Sequence, residues 1–169
     1  MITVTVTGVE AAVAGLNQFG DLRSRLRTAV RNTIRTGKSE LKSRITARYT
    51  AANPMSLGST AMTVSSLRGV LKVGGRRNQL RRFIINPRAR INPAPKGGVY
   101  AQVVRGQGGS IRRAFLQRSG NVFERISASR FPIRQLRTVS LPGMAKAVSS
   151  QVESKMYQRL GVELDNVFG

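Results

Sequence analysis

The chain contains no cysteine, no histidine and no tryptophan. Without cysteine no disulfide can form, and the redox compartment is left open. Without thiolate or imidazole, the common metal sites are excluded, together with Cys–His and Ser–His nucleophilic catalysis. Aromatic residues make up only 5% of the sequence, so the core has to be built from Val, Ile, Leu, Ala and Met. Acidic residues are equally scarce: Glu10, Asp21, Glu40, Glu124, Glu153, Glu163 and Asp165. Only Glu163 and Asp165 are close in sequence, and two residues apart on a helix they do not share a face. The paired carboxylates needed for acid–base or metal-assisted chemistry are therefore not expected. No catalytic residue, no cofactor and no metal site is expected, and the chain does not read as an enzyme. No apolar run reaches the length of a membrane span. The opening MITVTVTGVEAAVAGL lacks the basic region of a signal peptide and is interrupted by Glu10. A cytoplasmic product without membrane association is the expectation.

What is abundant is positive charge. Against seven acidic residues stand 29 Lys plus Arg, for a net charge of +22 over 169 residues. Such a chain repels itself and seeks anions: nucleic acid, acidic protein surfaces or anionic lipid. Arginine dominates, and its guanidinium forks onto phosphate and carboxylate alike, so the bias does not choose between DNA and an acidic protein neighbour. The length fits one domain over residues 1–169 with a real core.

Hydrophobic periodicity gives the coarse architecture. Ile2, Val4 and Val6 alternate with threonines as a short strand, and Val9 to Gln18 has the spacing of a short helix. Asp21 is placed to cap a long helix, in which Leu22, Leu26, Val30, Ile34, Leu41 and Ile45 form one apolar face. A second row on this helix is basic: Arg23, Arg27, Arg31, Arg35, Lys38 and Lys42. It reads either as a solvated face or as a stripe with something anionic against it. Gly37 inside the helix points to close packing. Thr50 to Ala61 reads as a loop. Strand-like runs follow at Leu67–Val73, Leu80–Ile85, Val99–Val104, Ile111–Leu116, Asn121–Ser127 and Ile133–Val139. Pro142 suits the first turn of a C-terminal helix, whose Met144, Val148, Val152, Met156, Leu160 and Leu164 recur every four residues. Gly161 is a point where that helix ends or kinks. The fold class is α+β: an antiparallel β-sheet of about five strands flanked by the long N-terminal helix and the C-terminal helix, both packed on one face. The other face then needs water or a neighbouring subunit.

Arg105-Gly106-Gln107-Gly108-Gly109-Ser110 is glycine-rich but lacks the Gly-Lys-Ser/Thr ending of a phosphate loop and joins two strands; it reads as a flexible hairpin tip. Basic residues cluster near rings at Arg81-Arg82-Phe83, Arg112-Arg113-Ala114-Phe115 and Arg130-Phe131. Exposed rings between cations would stack single-stranded bases, whereas the strand pattern buries those rings in the core, which is the expectation here. Arg76, Arg77, Arg81, Arg82, Arg105, Arg112 and Arg113 are the residues expected to contact nucleic acid or an acidic partner.

The order of features from Ala114 onwards carries a resemblance. Ala114-Phe115, the Gly120 turn, Val122-Phe123 with Arg125, Arg130, Pro132-Ile133 and Pro142 to Met144 resemble the tail-completion proteins of long-tailed bacteriophages, the minor tail protein Z type. The opening strand followed by Gly8-Val9-Glu10 is similar to the same family. The resemblance implies a structural protein of the virion tail and neck, present in the host cytoplasm during assembly. It implies helices packed on a β-sheet and a homo-oligomeric ring, usually hexameric. Such a ring sits on the tail tube protein at its head-proximal end, meets head–tail connector or tail terminator proteins, and lets genomic DNA pass without reading its sequence. The alternative from the charge alone is a free-standing basic nucleic-acid-binding protein, a monomer or dimer with salt-dependent affinity.

Overall fold

A computed structural model describes residues 2–5, 20–65, 67–92 and 96–168, with the backbone alone for 2–5 and for Gly20. The short helix expected over Val9–Gln18, and Val6 of the opening strand, lie outside the described residues. In chain order the elements are the strand Ile2–Thr5 (β1), the helix Gly20–Arg48 (α1), and the strands Ser59–Val64 (β2), Arg68–Gly74 (β3), Arg77–Gln79 (β4), Ile84–Asn86 (β5) and Val99–Val104 (β6). They continue with Gln107–Ile111 (β7), Ala114–Leu116 (β8), Val122–Arg125 (β9), Ile133–Gln135 (β10) and Arg137–Ser140 (β11), then the helices Leu141–Lys146 (α2) and Ser149–Phe168 (α3). The class is α+β. The elements divide into two compact units: β1, α1 as far as Arg44, β2, β3 and α3 form the first, and Ile45–Gly58 with Gly75–Met144 form the second.

In the first unit the helical spacing of apolar residues sets the packing. Leu26, Val30, Ile34 and Leu41 of α1 are buried, as are Val152, Met156 and Leu160 of α3. The two helices approach closely at Gly37, where an added Cβ would lie 2.3 Å from the Met156 Sδ. The close packing expected of a glycine inside this helix is found there. β3 lies antiparallel between β1 and β2. Its Gly69 faces Ile34 and Val30 of α1, whose side-chain atoms would sit within 2.8 Å of a Cβ there. A polar clasp joins the helices as well. The Asn32 amide donates to both oxygens of Glu163, at 3.3 and 3.2 Å, and Arg159 pairs with the same carboxylate from one turn earlier. Glu163 is only 8% exposed, so an acid that looks unremarkable in the sequence is a buried, fully partnered group.

In the second unit the core gathers Leu80, Ile85, Val99, Ala114, Leu116 and Val122. Three small antiparallel sheets surround it: β5-β6-β7, β8-β9-β10 and β4-β11. Within this unit, which includes the last turn of α1 from Ile45, Arg105 holds the helix end. Its backbone N–H donates to the Arg48 carbonyl at 2.9 Å and its guanidinium to the Thr46 carbonyl at 3.2 Å. These are last-turn carbonyls with no partner inside the helix. Thr50, one residue beyond an isolated bridge between Tyr49 and Val104, donates through its hydroxyl to the Gln102 carbonyl and accepts from the Ile84 N–H.

The single five-stranded sheet expected from the sequence is not found. Among the described residues the strands form four small antiparallel sheets of two or three strands. Leu136 shows the reason. It stands between β10 and β11, its N–H donates to the carbonyl of Val122, the first residue of β9, and its carbonyl accepts from the Leu80 N–H beside β4. One apolar run, Ile133–Val139, therefore changes partners at its middle and serves two sheets. Leu80–Ile85 likewise divides into a 3-10 turn, Leu80–Arg82, and β5. Ser59–Ala61, expected to be loop, belongs to β2. The C-terminal helix is two helices with a turn at Ala147–Val148, where the Ser149 hydroxyl donates to the Lys146 carbonyl. Gly161 does not end it, since α3 continues to Phe168. Asp21 lies inside the first turn of α1, not ahead of it, where its charge still opposes the helix dipole favourably.

Candidate functional site

The basic row of α1 is fully displayed in the first unit. Arg23, Arg27, Arg31, Arg35, Lys38 and Lys42 are all exposed, and among the described residues none of them is in an ion pair. Five of them follow directly on a residue of the apolar row, from Leu22 to Leu41, and Lys38 follows the buried Gly37, so the cations run parallel to the buried stripe about 100° further round the helix. The row is roughly 28 Å long at 1.5 Å per residue. Its i,i+4 neighbours repel, at a cost of about 0.2–0.5 kcal/mol per pair. The one acid in the body of α1, Glu40, is engaged by Arg44 at 2.7 Å and neutralises none of the row.

The seven arginines expected to contact anions, Arg76, Arg77, Arg81, Arg82, Arg105, Arg112 and Arg113, are exposed and all belong to the second unit. They do not form one cluster. Arg105 is at the turn between β6 and β7, with its guanidinium on the end of α1. The hairpin there is real, but its loop is only Arg105-Gly106, because Gln107–Ile111 is strand. Arg81 donates to Gln79 at 2.9 Å and to the Ser119 carbonyl at 2.7 Å. With Arg82 and Arg88 it lines a hollow of about 370 Å³. Arg112 and Arg113 form the turn before β8 and border a second hollow with Phe115 and Arg125. Arg76 and Arg77 stand apart from both.

The sequence reasoning missed the outer face of the β8-β9-β10 sheet. Alternation along β8 and β9 sends Ala114, Leu116 and Val122 into the core, and therefore sends Phe115, Phe123 and Arg125 to the opposite face. Phe115 and Phe123 are register partners, with ring centroids 6.3 Å apart. The Arg125 guanidinium sits over the Phe115 ring, 5.6 Å from its centroid. Beyond β9, Arg130 stacks on Phe131 at 5.7 Å. The expectation that the arginine-flanked rings are core holds for Phe83, 3% exposed, and fails for Phe131, 64% exposed. Phe131 lies in the stretch between β9 and β10, where no strand alternation turns its side chain inward. The signal available in the sequence was the Arg-Phe-Pro triplet, since Pro132 ends any strand reading there.

Between these groups lies a hollow of about 350 Å³ lined by Arg90, Ile91, Phe115, Arg125, Arg130 and Phe131, with Asn92 and Gln117 supplying amides. Among the described residues no carboxylate lines it. The nearest acid of this sheet, Glu124, is held by Arg134 at 2.8 Å. Among the described residues, no group of His, Cys, Asp or Glu could hold a metal ion, and no helix is long and apolar enough to cross a membrane.

Compared with known proteins, the chain matches no protein-family model, no curated protein and no solved structure. The chemistry of the site therefore rests on its own residues: dispersed guanidinium groups, one linear cationic row, and one sheet face where arginines and rings alternate.

Proposed function

We propose that this protein is a structural component of the tail and neck of a long-tailed bacteriophage. It assembles as a ring, hexameric in the closest fit to the resemblance, at the head-proximal end of the tail tube. There it completes or terminates the tail and supports head–tail joining and DNA passage. The observation that carries the reading is where the family-like residues fall in the fold. Ala114-Phe115 opens β8, Gly120 takes a positive φ of 74° in the β8–β9 turn, Val122-Phe123 and Arg125 are β9, Ile133 opens β10, and Pro142 stands in the first turn of α2. Most of the residues that carry the resemblance thus fall on strands and turns, while Arg130 and Pro132 lie in the stretch between β9 and β10.

The charge supports the same reading. The +22 is the excess of 29 cationic over 7 acidic residues, so none of it has a counter-charge within the chain. A six-membered ring would hold six times that charge, and it would be stable only with acidic neighbours or channel DNA against it. Non-specific phosphate contact suffices, because a channel does not read sequence. Deleting the gene should leave particles whose heads and tails fail to join productively. Particles maturing with full-length, infectious tails in its absence would overturn the proposal.

A further inference from the structure

We infer that the outer face of the β8-β9-β10 sheet, with the adjoining Phe131, is a binding platform for single-stranded nucleic acid, with a base stacking on Phe131 and phosphates held by the arginines around it. The inference does not depend on ring assembly or on the tail reading.

Three observations converge on it. First, Phe115 and Phe123 are half-buried on the face turned away from the core, and Phe131, in the stretch between β9 and β10, is 64% exposed. Arg130 covers one side of that ring, which leaves the other for a planar partner. Ile91, 52% exposed, extends the same apolar wall. Second, cations surround the rings, and among the described residues no acid lines these hollows. The hollow beside Phe131 has Arg90, Arg125 and Arg130, and two adjoining hollows that share Phe115 add Arg112, Arg113 and Arg118. The result is a track of positive charge interrupted by rings, which is what a flexible strand with one phosphate per base requires. Third, the Asn92 and Gln117 amides line the same hollow, and an amide can donate to or accept from any base edge.

Duplex DNA satisfies less of this arrangement. Its bases are stacked on one another and offer no faces to Phe131, so a duplex could use only the arginines. An acidic peptide could pair with the guanidinium groups but would leave the open ring without a planar partner.

The test is binding of the full-length protein to a fluorescent oligothymidylate of about 20 nucleotides, a length that covers the site sizes of such platforms. The same-sequence duplex and polyglutamate serve as competitors. The single strand should bind about tenfold more tightly than the duplex at equal phosphate. Phe131→Ala should weaken single-strand binding about tenfold and leave duplex binding unchanged, while Phe131→Tyr should retain it. Arg125→Gln and Arg130→Gln should each flatten the salt dependence by about 0.7 of a unit in the log–log slope. Phe131 is exposed, so its loss should leave the unfolding midpoint unchanged, and that measurement separates stacking from misfolding. Equal or tighter binding of duplex, equal competition by polyglutamate, or a Phe131→Ala variant with undiminished single-strand affinity would each overturn the inference. So would loss of self-association in Phe131→Ala with oligonucleotide binding intact, which would assign the face to a second copy of the chain.

Discussion

Replacing Gly37 and Met156 by alanine, singly and together, probes the closest approach between α1 and α3. The Cβ added at Gly37 would stand 2.3 Å from Met156 Sδ and 2.7 Å from its Cγ, well inside any real carbon contact. At an open helix position the substitution Gly→Ala stabilises by about 1 kcal/mol. Here Met156 must rotate away within a packed interface, and overpacking of this kind costs about 1–3 kcal/mol. The expected net effect of Gly37→Ala is a loss of about 0–2 kcal/mol. Met156→Ala truncates a fully buried side chain and should cost about 2–5 kcal/mol. In the double variant the new methyl occupies space that the thioether has vacated. The clash disappears and the helix-propensity gain returns, so the double variant should be about 1–3 kcal/mol more stable than the sum of the singles predicts. Denaturant unfolding followed by far-UV circular dichroism, with the slope checked for constancy, reads all four corners of the cycle. Additivity to within about 0.5 kcal/mol would show that the two side chains do not meet, and would refute the packing of α1 on α3 at this point.

Gly161, by contrast, is exposed in α3 with no atom near an added Cβ, so Gly161→Ala should raise stability by roughly 1 kcal/mol in the same unfolding assay. Glu163→Ala removes the acceptor of the Asn32 amide and of Arg159; a loss of about 1–3 kcal/mol is expected, with Asn32→Ala in the Glu163→Ala background adding little further. Arg105→Ala should destabilise by about 0.5–1.5 kcal/mol, because the Thr46 carbonyl at the end of α1 loses its donor. Arg31→Gln combined with Arg35→Gln should move two properties in opposite directions. Relief of like-charge neighbours raises stability by a few tenths of a kcal/mol, about 0.2–0.5 per pair, while affinity for duplex DNA falls and its log–log salt slope flattens by about one unit per lost phosphate contact. A duplex affinity and salt slope unaltered by both substitutions would identify the α1 row as a merely solvated face.

The sequence made the helices legible because their signal is local and redundant. In α1 the apolar row, Gly37 and the basic row all report the same period, and each residue of that row after Leu22 is buried. In α3 the four-residue repeat survives the break at Ala147–Val148, since Met144, Val148, Val152 and Met156 are buried across it. The sheets were less legible because pairing is a long-range property. Nothing local in Ile133–Val139 says that the first half joins β9 and the second half β4. That division appears only when Val122 and Leu80 arrive from elsewhere to bond the two sides of Leu136. The site was legible as a composition and not as a place. The Arg-Phe pairs were visible, but a ring next to cations reads as core or as platform according to which sheet face it occupies. At Phe115 that depends on the pairing of β8 with β9, and at Phe131 on its lying outside either strand. Glu163 was invisible as a buried group because its partner Asn32 comes from the other end of the chain.

The most direct test of the structural role is negative-stain microscopy of the purified protein alone and with tail tubes from the same particle, across a range of ionic strength. The account predicts rings, or tubes capped at one end, with docking that weakens as salt rises because acidic neighbours or DNA compensate the +22 of each chain. A protein that stays monomeric or dimeric and leaves tube ends bare at every salt concentration would contradict it.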